Sequence, residues 1–142
     1  MAAKISYDEV TVGQELPGIS YPVERMNLVM YAGASGDFNP IHWNESFAKM
    51  VGLPDVISHG MFNMGSCAKL ITNWVGDPAA VRRYKVRFSK PVVVPNEGGN
   101  SVSAKAKVVE KLDGKRVAIE LSAENAQGDQ IISNGVVEVE LA

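Results

Sequence analysis

Asp37 and His42 stand five residues apart in the segment Ser35 to His42, which reads SGDFNPIH. A carboxylic acid and an imidazole at that spacing, in a loop released from helix by Gly36 and stiffened by Pro40, form a candidate acid–base pair. Removing water from a 3-hydroxyacyl thioester needs a base for the C2 proton and an acid for the departing hydroxyl. An Asp and a His directed at adjacent carbons on one face of such a substrate supply both, in a syn elimination. Taken alone, the spacing better suits an Asp that caps the helix at Asn44 or an adjacent turn and a histidine satisfied in the core.

A second element changes the weighing. Ser58, His59 and Gly60 open the longest helical pattern of the chain. Backbone N–H groups at a helix start lack intrahelical acceptors and carry the positive end of the macrodipole. A thioester carbonyl that turns enolate-like in the transition state needs such donors. Gly60, without a side chain, lets a carbonyl approach its N–H closely. Ser58 is expected as the N-cap and not as a nucleophile, since no G-x-S-x-G elbow surrounds it. His59 is assigned to packing and loop shape, not to proton transfer.

The elements that must hold these residues follow from periodicity. The spacing predicts a short strand over Ser20 to Glu24 and a helix over Asn27 to Ala34 that stops at Gly36. Asn44 is expected to cap a short helix carrying Phe47, Ala48 and Val51. From Gly60 to Val75, Met61, Met64, Ala68, Ile71 and Val75 recur at helical spacing, and Phe62, Cys67, Leu70 and Trp74 widen the stripe. A helix apolar nearly all round belongs inside something. The remainder reads as strands: Ala80 to Phe88, Ser101 to Leu112, Arg116 to Asn125 and Gln130 to Leu141, with Asp113 and Gly114 as a hairpin turn. A buried helix and long antiparallel strands require the sheet to curve around the helix, so the fold expected is an α+β hot-dog domain.

Bulk properties narrow the function classes. The chain has 142 residues, the usual size of one domain, and one hot-dog domain is expected over residues 1–142. An apolar share of 46% with 21% charged residues suits a soluble globular protein with a real core. A net charge of −2 argues against a nucleic-acid partner. The chain shows neither a signal-like start nor a run of roughly 18 apolar residues, so neither secretion by that route nor a membrane span is expected, and the location expected is cytoplasmic. The single Cys67 and only two histidines leave no zinc-ligand cluster, and no metal or cofactor is expected. Cys67 is assigned to the core.

SGDFNPIH followed by SHGM resembles the signature of the MaoC-like, or hydratase 2, family, with Asp37, Asn39, Pro40 and His42 on the motif positions. The similarity runs from DEVTVGQ through VRFSKPVVVP to the final strand. Within the family, NPIHW, MVGLPDVISHGM and WVGDPAAV look most like the catalytic subunits of mycobacterial-type (3R)-hydroxyacyl-ACP dehydratases. The resemblance implies an (R)-specific hydratase or dehydratase acting on acyl carrier protein or CoA thioesters in fatty acid elongation. It also implies that Asp37 and His42 act from one chain, that the Gly60 backbone N–H is the oxyanion donor, and that Asn39 and Pro40 orient the loop. Ser58 is the main departure, standing where Ala commonly precedes the His-Gly pair.

Three further expectations concern substrate and partners. Met61, Phe62 and Met64, apolar and adaptable, suit the lining of an acyl tunnel. Strand alternation puts Arg83, Lys85 and Arg87 on one face, where they either form a solvated surface or contact the phosphates or acidic residues of the carrier. A domain of this size is expected to work as a dimer, with itself or with a related hot-dog chain that binds the acyl group. The competing readings are a hot-dog thioesterase and a non-catalytic acyl-binding subunit, because fold does not fix reaction.

Overall fold

A computed structural model describes residues 3–142. Strand β1 (Ile19–Val23) leads into helix α1 (Arg25–Ser35), then a 3-10 turn over Pro40–His42 and the short helix α2 (Glu45–Met50). The long helix α3 (Gly60–Val75) follows, and after it come β2 (Val81–Phe88), β3 (Asn100–Leu112), β4 (Arg116–Asn125) and β5 (Gln130–Glu140). The long helix and the third long strand have the bounds that periodicity predicts. Ala80 instead belongs to a 3-10 turn over Pro78–Ala80, whose start is fixed by the Asp77 side chain accepting from the Ala79 N–H at 3.0 Å.

The strands form one sheet in the order β1-β3-β4-β5-β2, with antiparallel neighbours throughout. Register shifts interrupt β2–β5, β3–β4 and β4–β5. Such bulges bend a strand and increase its twist, which is how a sheet comes to curve. Alternation is clean in β3, where Val102, Ala104, Ala106 and Val108 are buried and Ser103, Lys105 and Lys107 face outward or lie at the margin. The small Ala104, Ala106 and Ala123 share one core cluster with Cys67, Leu70, Ile71 and Val75 of α3. This is the hot-dog arrangement of a curved antiparallel sheet around a long helix.

The helix is not covered on every side. Met61, Gly65, Lys69 and Asn73, spaced by four, are exposed and mark an open stripe along α3. Met26, Val29 and Met30 on α1, and Phe38 and Trp43 in the following loop, are also exposed. Among the described residues no helix is long and apolar enough to cross a membrane.

Candidate active site

The loop after α1 is held by hydrogen bonds that its own residue types dictate. Gly36 ends the helix with φ of 75°, a left-handed conformation that favours glycine, and its N–H donates to the Ala32 carbonyl. The Ser35 hydroxyl donates to the Tyr31 carbonyl at 2.7 Å and accepts from the Asp37 N–H at 3.2 Å. Asp37 Oδ1 then accepts from the Asn39 N–H at 3.2 Å, and Asn39 Oδ1 from the Ile41 N–H at 3.3 Å. Two successive Asx turns therefore lead into the 3-10 turn that Pro40 opens. The Trp43 indole closes the loop by donating to the Phe38 carbonyl at 2.9 Å.

His42 Nε2 lies 3.8 Å from Asp37 Oδ2. The imidazole is buried while half of the carboxylate side chain, 52%, is exposed. His42 Nδ1 is 2.7 Å from the Ile57 carbonyl oxygen. A carbonyl can only accept, so Nδ1 carries the proton and Nε2 presents a lone pair toward Asp37. Burial, above all, pushes the imidazole below its ordinary value; the Ile57 hydrogen bond opposes this, the neighbouring His59 adds to it, and Asp37 opposes it. These surroundings favour the neutral imidazole.

His59 braces this arrangement. Its ring stacks on that of His42 with centroids 3.7 Å apart, and its Nε2 lies 3.1 Å from the Asp37 carbonyl oxygen. Tyr31 meets His59 edge-on at 4.8 Å and Phe62 at 5.6 Å, so α1, the loop and α3 share one aromatic cluster. His59 Nδ1 is the single buried side-chain nitrogen or oxygen without a partner among the described residues. The donor atoms of Asp37, His42 and His59 lie within 4.8 Å of one another, the one trio among the described residues close enough to share an ion.

Segment 56–58 joins the loop to the helix. The Ile57 N–H donates to the Ile41 carbonyl, the Ser58 N–H to Val92, and the Val94 N–H to Val56. A cavity of about 360 Å³ opens beside it, lined by His42, Ser58, Gly60 and Asn63 together with apolar residues such as Ile41 and Phe88. The Gly60 N–H meets no acceptor among the described residues. Gly60 has a packing reason as well as a chemical one, since a Cβ there would lie 3.1 Å from the Phe88 ring.

Several expected features take different places. The N-cap of α3 is His59, without a side-chain cap; the Ser58 hydroxyl instead donates to Asn63 Oδ1 at 3.2 Å. None of Met61, Phe62 and Met64 lines the cavity. Met61 is exposed, Phe62 packs edge-on against Tyr21 and Tyr31, and Met64 offers its carbonyl to the Tyr84 hydroxyl. Arg83, Lys85 and Arg87 share the exposed face of β2, but Arg83 pairs with Glu138 at 3.2 Å, leaving Lys85 and Arg87 without an anionic partner among the described residues. Asn63 and Phe88 were not foreseen. The signal for Asn63 was an amide within an apolar helical run.

Residues 9–127 match the family model described as MaoC like domain. Among curated proteins, the fatty acid synthase subunit beta of Saccharomyces cerevisiae is 35% identical over 112 residues, covering 78% of this chain and 5% of that protein. The 3-hydroxyacyl-thioester dehydratase X of Mycobacterium tuberculosis is 49% identical over 69 residues, covering 49% of this chain and 24% of that protein. The chain thus spans a quarter or less of the length of these curated relatives. Among solved structures, a MaoC-like dehydratase superposes with a TM-score of 0.93 at 40% identity, over 96% of this chain and 42% of that one.

Proposed function

The chain belongs to the MaoC like domain family, and from that premise we propose that it interconverts (3R)-hydroxyacyl and trans-2-enoyl thioesters as one hot-dog unit over residues 1–142. The observation that carries the reading is the pair formed by His42 Nε2 and Asp37 Oδ2, 3.8 Å apart, with His42 and Gly60, though not Asp37, among the residues that line one cavity. In the dehydration direction neutral His42 takes the C2 proton as the C2–C3 π bond forms and the C3–O bond breaks. Asp37 delivers a proton to the departing hydroxyl, which leaves as water. The proton then on His42 returns to Asp37 across the short gap, and the Gly60 N–H holds the carbonyl oxygen while it is enolate-like. Asn39 and Pro40 keep the loop in register for both groups.

The likeness to a fatty acid synthase subunit favours a carrier-protein thioester over a CoA thioester. The unpartnered Lys85 and Arg87 offer that carrier a cationic contact, and the cavity walls form the start of the acyl site, with Met61, Phe62 and Met64 outside that cavity. A second hot-dog domain, from another copy or a related acyl-binding chain, covers the site. The open stripe on α3, the exposed Phe38 and Trp43, and the free edge of β2 support this.

The test incubates purified protein with 3-hydroxyacyl and trans-2-enoyl thioesters, each on CoA and on acyl carrier protein, with light scattering on the same sample. Reversible gain and loss of the enoyl thioester absorbance, faster on the carrier protein, is expected from a dimer. Release of free thiol instead identifies a thioesterase, and tight binding without turnover identifies an acyl-binding subunit. Charge reversal at Lys85 and Arg87 should raise KM for the carrier protein and weaken its salt dependence; unchanged kinetics across a salt series removes that contact.

A further inference from the structure

Among the buried residues of α3, Asn63 alone carries an amide, and it is 4% exposed. Side chains on a helix lean toward its N-terminus. The Asn63 side chain accordingly reaches back across the turn opened by Gly60 and meets Ser58, whose hydroxyl donates to its Oδ1 at 3.2 Å. Ser58, Gly60 and Asn63 all line the cavity that His42 borders.

The hydroxyl holds the oxygen end of the carboxamide, so the nitrogen end is turned away from it. Asn63 Nδ2 donates to nothing among the described residues, yet it is not sealed in, because the single buried partnerless side-chain atom there is His59 Nδ1. Because Asn63 is a lining residue, this accessible nitrogen is available to an occupant of the cavity. An unused donor in a buried setting is unfavourable unless an occupant accepts its hydrogen bond. The Gly60 N–H, three residues earlier on the same helix, also lacks an acceptor among the described residues. Two donors from lining residues one helical turn apart match the two lone pairs of a carbonyl oxygen.

We propose that the Asn63 carboxamide gives the second hydrogen bond to the thioester carbonyl, beside the Gly60 N–H. Ser58 is the positioning residue that keeps the amide nitrogen facing the substrate. The inference rests on the hydratase and dehydratase reading of the site. Both donors gain strength as the oxygen acquires charge, so the effect falls on turnover more than on binding. It also gives a reason for a hydroxyl at position 58, since a residue without one leaves the amide free to turn.

The test compares wild type, Asn63→Leu and Asn63→Thr in the hydration of a trans-2-enoyl-CoA. The carbonyl stretch of the bound, isotopically labelled thioester is recorded in parallel by infrared spectroscopy. Asn63→Leu, close in volume but without a donor, is expected to lose roughly a hundredfold in kcat while KM changes by less than about threefold. Its bound carbonyl stretch moves to higher frequency. Asn63→Thr keeps a hydroxyl donor and recovers about tenfold of the loss with part of the shift. An Asn63→Leu stretch equal to wild type, or an Asn63→Thr enzyme as slow as Asn63→Leu, overturns the proposal. Asn63→Ala carries the same two readouts if Asn63→Leu does not fold. Wild type that hydrates no enoyl thioester overturns the reading of the site itself, which separates the two failures.

Discussion

The imidazole of His59 lies flat against that of His42, with ring centroids 3.7 Å apart and an interplanar angle of 21°, while its Nε2 meets the Asp37 carbonyl. One side chain at the start of α3 therefore touches both members of the proposed acid–base pair. His59 acts in this account as a positioning residue, not as a proton carrier. His59→Phe keeps a ring against His42 and loses the hydrogen bond to the loop. It should fold and lose roughly ten- to a hundredfold in kcat, the scale of a small misplacement of reacting groups. His59→Gln, which restores a donor, should recover part of that loss; full turnover in His59→Phe would show the brace to be dispensable.

The state of His42 sets the pH dependence. Burial is the main reason that the group sits below its ordinary value of 6.5. The base must be neutral, so dehydration fails as the pH falls and the imidazole becomes protonated. The acid limb of kcat/KM should therefore centre below 6.5, because kcat/KM reports groups of the free enzyme. A limb centred above 6.5 would mean that His42 is not the base.

Gly60→Ala separates packing from chemistry. The added methyl lies 3.1 Å from the edge of the Phe88 ring, which is 47% exposed on an edge strand and can shift. Alanine also favours helix over glycine by up to about 1 kcal/mol, offsetting overpacking of about 1–3 kcal/mol. Denaturant unfolding should thus place the variant within about 2 kcal/mol of wild type. Turnover should fall about a hundredfold, because the methyl stands beside the proposed oxyanion donor. Retention of wild-type kcat/KM would remove Gly60 from that role.

The parts of this molecule written in local patterns were legible without coordinates. The bounds of α3 follow from its apolar period and Gly76, and those of β4 from the Asp113 and Gly114 turn before it. Asp37, Asn39, Pro40 and His42 stand out because one short loop must satisfy several turn rules at once. What stayed hidden depends on contacts distant in sequence. Ser58 has the residue type of an N-cap, but its hydroxyl is taken by Asn63 and the cap position falls to His59. His59 reaches Asp37 across 22 residues, and Phe88 arrives over Gly60 from the end of β2. Met61 shares the apolar period of α3 yet faces outward, because period identifies a face without saying what covers it.

The central claim is that Asp37 and His42 act as one unit on an enoyl or hydroxyacyl thioester. The most direct measurement is hydration of a trans-2-enoyl thioester by wild type, Asp37→Asn, His42→Ala and the double variant, each verified as folded by circular dichroism. Each single variant should lose roughly two to four orders of magnitude in kcat, and the double variant should be little worse than the slower single one, as for residues that work together. Either single variant running at near wild-type rate, or losses that add fully in the double variant, would contradict the account.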